Sequence, residues 1–239
     1  MSYFKKAAVN ASLIKNVLKS PMYAWHQYHN PTKSNDAMDF GSLVHAMVLG
    51  VGMDEFVKSP KFDRRTKKGK AKAKEFDQAN EGKIAIDETE WLRAMECASS
   101  VMSTSKAAEL INNSAKEEWI DFRYCDPHEG IECKSKIDGY GKGFVYDLKT
   151  TSDIYSFDKV IKEYHYHTQL AFYGHAIGFP FELDYFLIAV NTKEPYECAV
   201  FNINSMIKEG QENIAKAIKY ADQIVKGESF KNGSGVVVL

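Results

Sequence analysis

Two aspartates and a lysine stand close together near the middle of the chain, as Asp138 and then Asp147-Leu148-Lys149. Hydrolysis of a phosphodiester needs a water to attack phosphorus while negative charge grows on the phosphoryl and leaving oxygens. Paired carboxylates suit that task, because they hold hard cations such as Mg²⁺ that take oxygen ligands and retain waters. Such ions polarise the phosphate, generate hydroxide and stabilise the leaving oxygen. A lysine beside them can orient the water and offset the developing charge. An Asp-x-Lys triplet also occurs on solvated hairpins, so the triplet alone leaves both readings open.

The element that must position these groups reads as a hairpin. Gly139, Gly141 and Gly143 separate an alternating segment from an aromatic and apolar one. On the second strand, a period of two puts Phe144, Tyr146 and Leu148 on one face and Val145, Asp147 and Lys149 on the other. A regular hairpin centred on Gly141 pairs Asp138 with Phe144 and leaves Asp147 three residues along, about 10 Å away. A shared metal site then requires a bulge or strong twist near the glycines. Upstream, residues 117–125 alternate as a strand that turns through Asp126-Pro127-His128-Glu129-Gly130 and pairs with the first arm of the hairpin. Glu118 shares a face with Ile120, Phe122 and Tyr124. An acid at the head of an apolar face is either exposed at the strand end or recruited to the site.

Further out, residues 12–18 read as a short helix, and Ser20-Pro21 opens another that runs through Trp25 and Tyr28 to the Asn30-Pro31 stop. Residues 36–49 form a strongly apolar helix with His45 in its middle, which from the helix alone is a core histidine. Asp87-Glu88-Thr89-Glu90 resembles a capping box ahead of a helix through Trp91 and Met95 towards Leu110. Helical segments over 157–178, broken near Tyr164, place His165, Gln169 and Tyr173 on one face. Residues 183–190 and 196–203 read as strands, and 205–225 as a capped amphipathic helix. The Gly-rich end from Gly227 reads as a flexible tail. Between residues 58 and 74 stand nine Lys or Arg and one acid, Asp63, in a chain whose formal net charge is −1. That run is either a solvated loop or a phosphate-contacting element, in which Arg64 and Arg65 make forked contacts and the lysines act as point charges.

The 239 residues, 44% hydrophobic and 26% charged, suit one soluble domain with a substantial core. No apolar run approaches the about 18 residues of a membrane span, and no signal-peptide h-region follows the first lysines. Cys97, Cys125, Cys133 and Cys198 lack metal-ligand spacing and are expected to be reduced thiols in a cytoplasmic protein. The expected architecture is a single α/β domain over 1–239, with a mixed central sheet flanked by helices. Residues 1–115 are mainly helical in that scheme, 116–204 hold the catalytic sheet and its helices, 205–226 form the C-terminal helix, and 227–239 the tail.

Five segments occur together and in order: Gly41-Ser42-Leu43-Val44-His45, Phe62-Asp63-Arg64-Arg65-Thr66-Lys67-Lys68-Gly69-Lys70, Ile137-Asp138, Asp147-Leu148-Lys149-Thr150, and Tyr164-His165-Tyr166-His167-Thr168-Gln169-Leu170-Ala171-Phe172-Tyr173. Their order resembles the RecE-type exonucleases of the PD-(D/E)xK nuclease superfamily, over roughly residues 10–200. The second acid is Asp147 where many superfamily members have Glu, a change that RecE-type members tolerate. Some related nucleases hold an iron–sulfur cluster with one early and three clustered late cysteines, a pattern absent here. The resemblance implies a restriction-endonuclease-like core and a Mg²⁺-dependent exodeoxyribonuclease, with Mn²⁺ able to substitute. Such an enzyme resects double-stranded DNA ends 5′ to 3′ and leaves 3′ single strands for a single-strand annealing protein in phage or prophage recombination. It is expected to be a homo-oligomer in the cytoplasm of a bacterial or phage-infected cell.

Carried onto this chain, the resemblance makes Asp138 and Asp147 metal ligands, with the Leu148 carbonyl as a further ligand and His45 as a metal-site residue. Lys149 becomes the water orienter, and Gln169 and Tyr173 approach phosphate oxygens. Glu118 is the accessory acid, although Glu117 matches equally well. Arg64, Arg65, Lys67, Lys68 and Lys70 become DNA contacts. Two alternatives remain: a related endonuclease with the same site, or a catalytically silent DNA-binding module.

Overall fold

The chain is organised around one strand that is covered on both sides. In a computed structural model that describes residues 6–125, 130–178 and 183–228, the elements follow in order. Helices α1 (Ala11–Lys19), α2 (Pro21–His29) and α3 (Asp36–Leu49) come first, then strand β1 (Phe56–Ser59), helix α4 (Lys67–Ala79) and strand β2 (Ile84–Asp87). Helices α5 (Glu88–Ser103) and α6 (Ser105–Asn112) lead into β3 (Ala115–Cys125), β4 (Gly130–Gly141) and β5 (Phe144–Thr151). Helices α7 (Phe157–Glu163) and α8 (Tyr166–Ala176) cross to β6 (Asp184–Asn191), followed by β7 (Cys198–Asn202) and α9 (Ile207–Val225). The expected turn at 126–129 and the tail from 229 lie outside the described residues.

Local sequence chemistry starts these helices. Asn10, Ser20, Asn35, Thr66 and Asp87 each accept a backbone N–H at a helix N-terminus, satisfying donors that have no partner inside the helix. The helix expected to run to Leu110 is broken at Thr104, whose backbone is extended, so α6 is separate. No side chain caps α9; a 3-10 turn at Asn204–Met206 leads into it. The break near Tyr164 falls at His165, which sits in a left-handed conformation at φ +53°.

The main sheet has the order β3-β4-β5-β6-β7. Only β5 and β6 are parallel; the other neighbours are antiparallel. Alternating residues feed two cores. Val145, Tyr185, Leu187 and Ala189 pack with α1, α8 and α9, while Tyr146, Leu148, Phe186, Ile188 and Val190 pack with α3, α5 and α6. A strand buried on both faces is a near-continuous apolar run, which β6 is from Tyr185 to Val190 and β5 is from Phe144 to Leu148 apart from Asp147. The pair β1 and β2 forms a second, parallel two-stranded sheet that four-residue apolar patterns did not reveal. Among the described residues no helix is long and apolar enough to cross a membrane.

The hairpin register corrects the expected one. Gly141 pairs with Phe144 and Gly139 with Tyr146, so the turn is Lys142-Gly143, with Gly143 at φ +82°, rather than a loop centred on Gly141. One further step along this register sets Asp138 beside Asp147. The 10 Å offset therefore does not arise, and the hairpin needs no bulge. Beyond Gly139 the two strands part, and the N-terminal segment takes the vacated side of β4: Val9 N donates to Glu132 O at 3.0 Å and Lys134 N to Val9 O at 2.8 Å. β4 thus has one partner along its whole length and two in succession along the other edge.

The close approach at Gly139 is a constraint on this hairpin. A Cβ there would run into the ring of Tyr146, which is fully buried and hydrogen-bonded through its hydroxyl to Ser114 Oγ at 3.0 Å. Gly139→Ala should lower stability by about 1–3 kcal/mol, as overpacking in a rigid core does, measured as the shift of the denaturant midpoint.

Candidate active site

At the point where β4 leaves β5, the Asp138 carboxylate takes over as acceptor for the strand: its Oδ2 accepts the Leu148 amide at 2.8 Å. Across β4 on the other side, the ladder runs from Lys116↔Gly139 to Glu118↔Ile137 and skips the residue between. That residue is Glu117, at φ +56°, a left-handed conformation uncommon for anything but glycine. It breaks the strand's alternation and brings the Glu117 carboxylate to Asp138. His45 reaches the same place from the middle of α3. Ligand atoms of His45, Glu117 and Asp138 all lie within 4.8 Å of one another.

This corrects the choice of Glu118. Glu118 is exposed and accepts the Tyr140 hydroxyl at 2.6 Å. A period-two reading counted Glu118 onto the apolar face, but the left-handed Glu117 interrupts that count, and the neighbouring acid is the one that joins the cluster. Its carboxylate also pairs with the Lys136 ammonium.

Asp147, one strand further, is almost wholly buried. Its Oδ1 accepts Gln169 Nε2 at 2.8 Å and the Tyr173 hydroxyl at 3.3 Å. Its Oδ2 meets the Lys149 ammonium in an ion pair. Gln169 Nε2 also donates to Tyr173 Oη at 2.7 Å. Both amide protons of Gln169 are thus engaged inside the protein, one on Asp147 and one on Tyr173.

Lys15 is the residue that sequence reasoning missed. Its Nζ donates to Gln169 Oε1 at 2.6 Å, across 154 positions of sequence, and it lies 5.4 Å from the centre of the Tyr166 ring. Nothing local marks it, since a lysine on a short amphipathic helix is ordinarily solvated. Tyr166 also underlies Lys149, at 5.1 Å from the ring centre, a cation–π arrangement that helps hold the ammonium.

Burial, before anything else, pushes the Asp138 carboxyl well above its ordinary 3.8, and the charge of Asp147 adds to the shift; Lys149 and the Leu148 amide oppose it. Burial and then Lys149 pull His45 down to about 4, so its imidazole is neutral at pH 7 and has a lone pair to give. Its ring also hydrogen-bonds the Leu148 backbone, which acts in the opposite direction. The 3.6 Å between His45 Nδ1 and Asp138 Oδ2 is proximity, not a hydrogen bond. Burial opposes the charge of Lys149, yet Asp147 and Asp138 outweigh it and raise the pKa. Lys15 is lowered to about 8, by burial first and Lys149 second.

The donor set fits a divalent cation. Two carboxylates, of Glu117 and Asp138, and the neutral imidazole of His45 face one another. Oxygen ligands suit Mg²⁺ or Mn²⁺, and the imidazole admits the later transition metals. The basic run is elsewhere. Half of it is helix α4 rather than a loop, and Arg64, Arg65, Lys67, Lys68 and Lys70 are exposed. None of the leading charges acting on His45, Asp138 or Lys15 comes from it.

The family model described as a PDDEXK-like domain of unknown function (DUF3799) matches residues 10–237. The chain belongs to this family. Its fold class is therefore the PD-(D/E)xK-like core that the sequence motifs implied. A candidate exonuclease from Eubacterium rectale has the same fold, with a TM-score of 0.61 over 94% of this chain and 83% of its own, at 12% identity. An alkaline exonuclease from Laribacter hongkongensis aligns over 92% of this chain and 91% of its own, at 10% identity and a TM-score of 0.36. No curated protein matches the sequence.

The raised Asp138 carboxyl makes a prediction about stability without metal. Between the ordinary carboxylate range and its raised value, the folded state binds a proton that the unfolded state has released, so stability falls as pH rises through that window. Asp138→Asn removes the titration. In chelator, its Tm should exceed that of the parent, and the difference should grow from acidic pH towards neutrality; thermal unfolding at a series of pH values checks this.

Proposed function

We propose that the protein is a divalent-metal-dependent deoxyribonuclease that resects double-stranded DNA ends. The observation that carries this reading is the convergence of Glu117, Asp138 and Asp147 from three adjacent strands, with His45 and the charged Lys149 beside them. His45, Glu117, Asp138 and Asp147, with the Leu148 carbonyl, would hold the cation. When bound, the metal supplies Lewis-acid polarisation of the phosphate and a more acidic water.

The remaining work falls to the chain's own groups. Lys149 keeps its proton at neutral pH, so it serves as a fixed cation that orients the attacking water and offsets charge on the phosphoryl oxygens, and it does not act as a base. Gln169 and Tyr173 hold Asp147 in one orientation, and Lys15 in turn holds Gln169. Burial of the cluster limits competing hydration and strengthens each of these interactions.

Action at ends, 5′ to 3′ polarity and a 3′ single-stranded product are supported by the order of motifs shared with RecE-type exonucleases. The same resemblance supports Mg²⁺ as the resident metal, a recombination role beside a single-strand annealing protein, assembly into a homo-oligomer, and a cytoplasmic location. The exposed cations of Arg64, Arg65 and α4 are the proposed grip on duplex DNA.

A matched assay on end-labelled linear DNA and on covalently closed DNA, with and without Mg²⁺ or Mn²⁺, tests the reading. Linear DNA should be degraded only with metal, and closed circles should survive. Cleavage of circles would make the protein an endonuclease with this site, and no metal-dependent turnover would make it a DNA-binding module. Asp147→Asn should abolish hydrolysis with DNA binding largely kept, and Lys149→Ala should lower turnover by about 10²–10³, the scale of losing one electrostatic stabiliser.

The grip has its own signature in salt. Each duplex phosphate contact contributes about 0.9 to the log–log slope of affinity against salt, so replacing Arg64, Arg65, Lys67 and Lys68 together by Ala should reduce its magnitude by about 3 to 4. An unchanged slope would show that these side chains are only a solvated face.

A further inference from the structure

At the junction between α7 and α8 the rings of Tyr164 and Tyr166 stack, with centroids 5.9 Å apart and 20° between their planes. Residues two apart on a regular helix do not face each other, so helical geometry by itself does not produce this contact. The residue between them does. His165, at φ +53°, interrupts the helical turn and lets the two rings meet, in a left-handed conformation that a residue other than glycine adopts only under strain.

The stack is anchored at its inner end and open at its outer end. Tyr166 is half-buried, with its ring 6.0 Å from that of Phe157. Phe157 is 1% exposed and lies in turn 5.3 Å from the Phe201 ring. Over the Tyr166 ring stand the ammonium groups of Lys149, at 5.1 Å, and Lys15, at 5.4 Å, so the series of rings begins beside the acidic residues. Tyr164 ends it with 48% of its surface exposed. A single exposed aromatic is ordinary. One that strained backbone holds nearly parallel to a second, anchored ring, next to a site for a polyanion, is a prepared π surface.

We infer that Tyr164 is a stacking platform for an unpaired nucleobase of the DNA strand whose phosphodiester lies at the acidic cluster. The inference rests on the nuclease reading above. Every base has a π face, so stacking retains a strand whatever its sequence, as repeated cleavage along an end requires. Tyr166 already orders the Tyr164 ring, and a side chain ordered in advance loses less entropy on binding. The platform holds a base while Lys149 and the cluster act on phosphate. Two different chemistries therefore fix the strand and place the scissile bond in register between them.

The test measures binding of full-length Asp147→Asn protein, with Mg²⁺, to short hairpin duplexes whose open end carries a few unpaired nucleotides on each strand. Fluorescence anisotropy gives the affinity as each unpaired base in turn is replaced by an abasic site. One position should weaken binding about fivefold to a hundredfold, the range for one base stacked on an aromatic side chain. Tyr164→Ala on this background should weaken binding of the intact DNA by a similar factor and abolish the penalty at that position, because base and ring form a coupled pair. Tyr164→Phe keeps the π face and should match the background protein. Tyr164→Leu keeps an apolar side chain without a π face and should match Tyr164→Ala, so a folding defect in the alanine variant leaves the comparison intact. 2-Aminopurine at the sensitive position should be quenched on binding to the background protein and to Tyr164→Phe, and not on binding to Tyr164→Leu.

Abasic penalties that are the same in the background protein and in Tyr164→Leu, or no penalty at any position, would overturn the platform, while metal-dependent cleavage by the parent would keep the nuclease reading. Equal losses in Tyr164→Phe and Tyr164→Ala would assign the effect to the hydroxyl and overturn the platform as well. Failure of the background protein to bind the hairpins would do the same, and, together with no metal-dependent cleavage of any DNA by the parent, would overturn both readings.

Discussion

Three carboxylates that repel one another, Glu117, Asp138 and Asp147, are held side by side on adjacent strands in a poorly hydrated place, and much of the molecule serves to keep them there. Like charges at such separations cannot all persist in a medium of low polarity without compensation. The compensation comes from Lys136 on Glu117 and Lys149 on Asp147, and from the Leu148 amide together with a raised pKa at Asp138. Removing Lys149 from its buried pair with Asp147 costs about 3–5 kcal/mol, so that lysine is also structural. A divalent cation would relieve the same repulsion at once, which is the sense in which the fold is strained towards metal.

That arrangement needs a rigid frame, and β5 supplies it. Its alternate side chains enter two separate cores, so the strand cannot slip by one residue without exchanging Asp147 and Lys149 for Tyr146 and Leu148. Parallel pairing with β6 along all eight residues from Phe144 to Thr151 locks it further. Its pairing with β4, by contrast, stops after three residue pairs. The departure of β4 frees the Leu148 amide for Asp138 and opens a fork in which a cavity lined in part by Lys6, Lys134 and Lys136 sits. The same short ladder therefore makes both the acidic cluster and its neighbouring cavity.

Charge is distributed in a way that the net value of −1 conceals. Lys15, Lys136 and Lys149 surround the acids, Lys6 and Lys134 stand behind them, and the exposed cations of α4 form a separate field. The first group is partly buried, short in range and weakly screened. The second is solvated and acts through salt-sensitive contacts.

What the sequence by itself determined was local. The caps at Ser20 and Asp87, the apolar helix around His45, the two-sided pattern of β5 and the break near Tyr164 depend on neighbours within a few positions, and they could be read as such. The acid–acid–lysine pattern also named Asp138, Asp147 and Lys149, and the order of motifs named the superfamily. The tertiary structure decided everything that depends on register and on distant partners. A two-residue turn instead of a centred one set Asp138 beside Asp147. A single left-handed residue chose Glu117 over Glu118, because alternation carries a strand's faces only while every φ stays extended. Lys15 gained its partner Gln169 from a chain segment more than a hundred positions away, and no local pattern encodes which side chains will meet once α1 and α8 pack together.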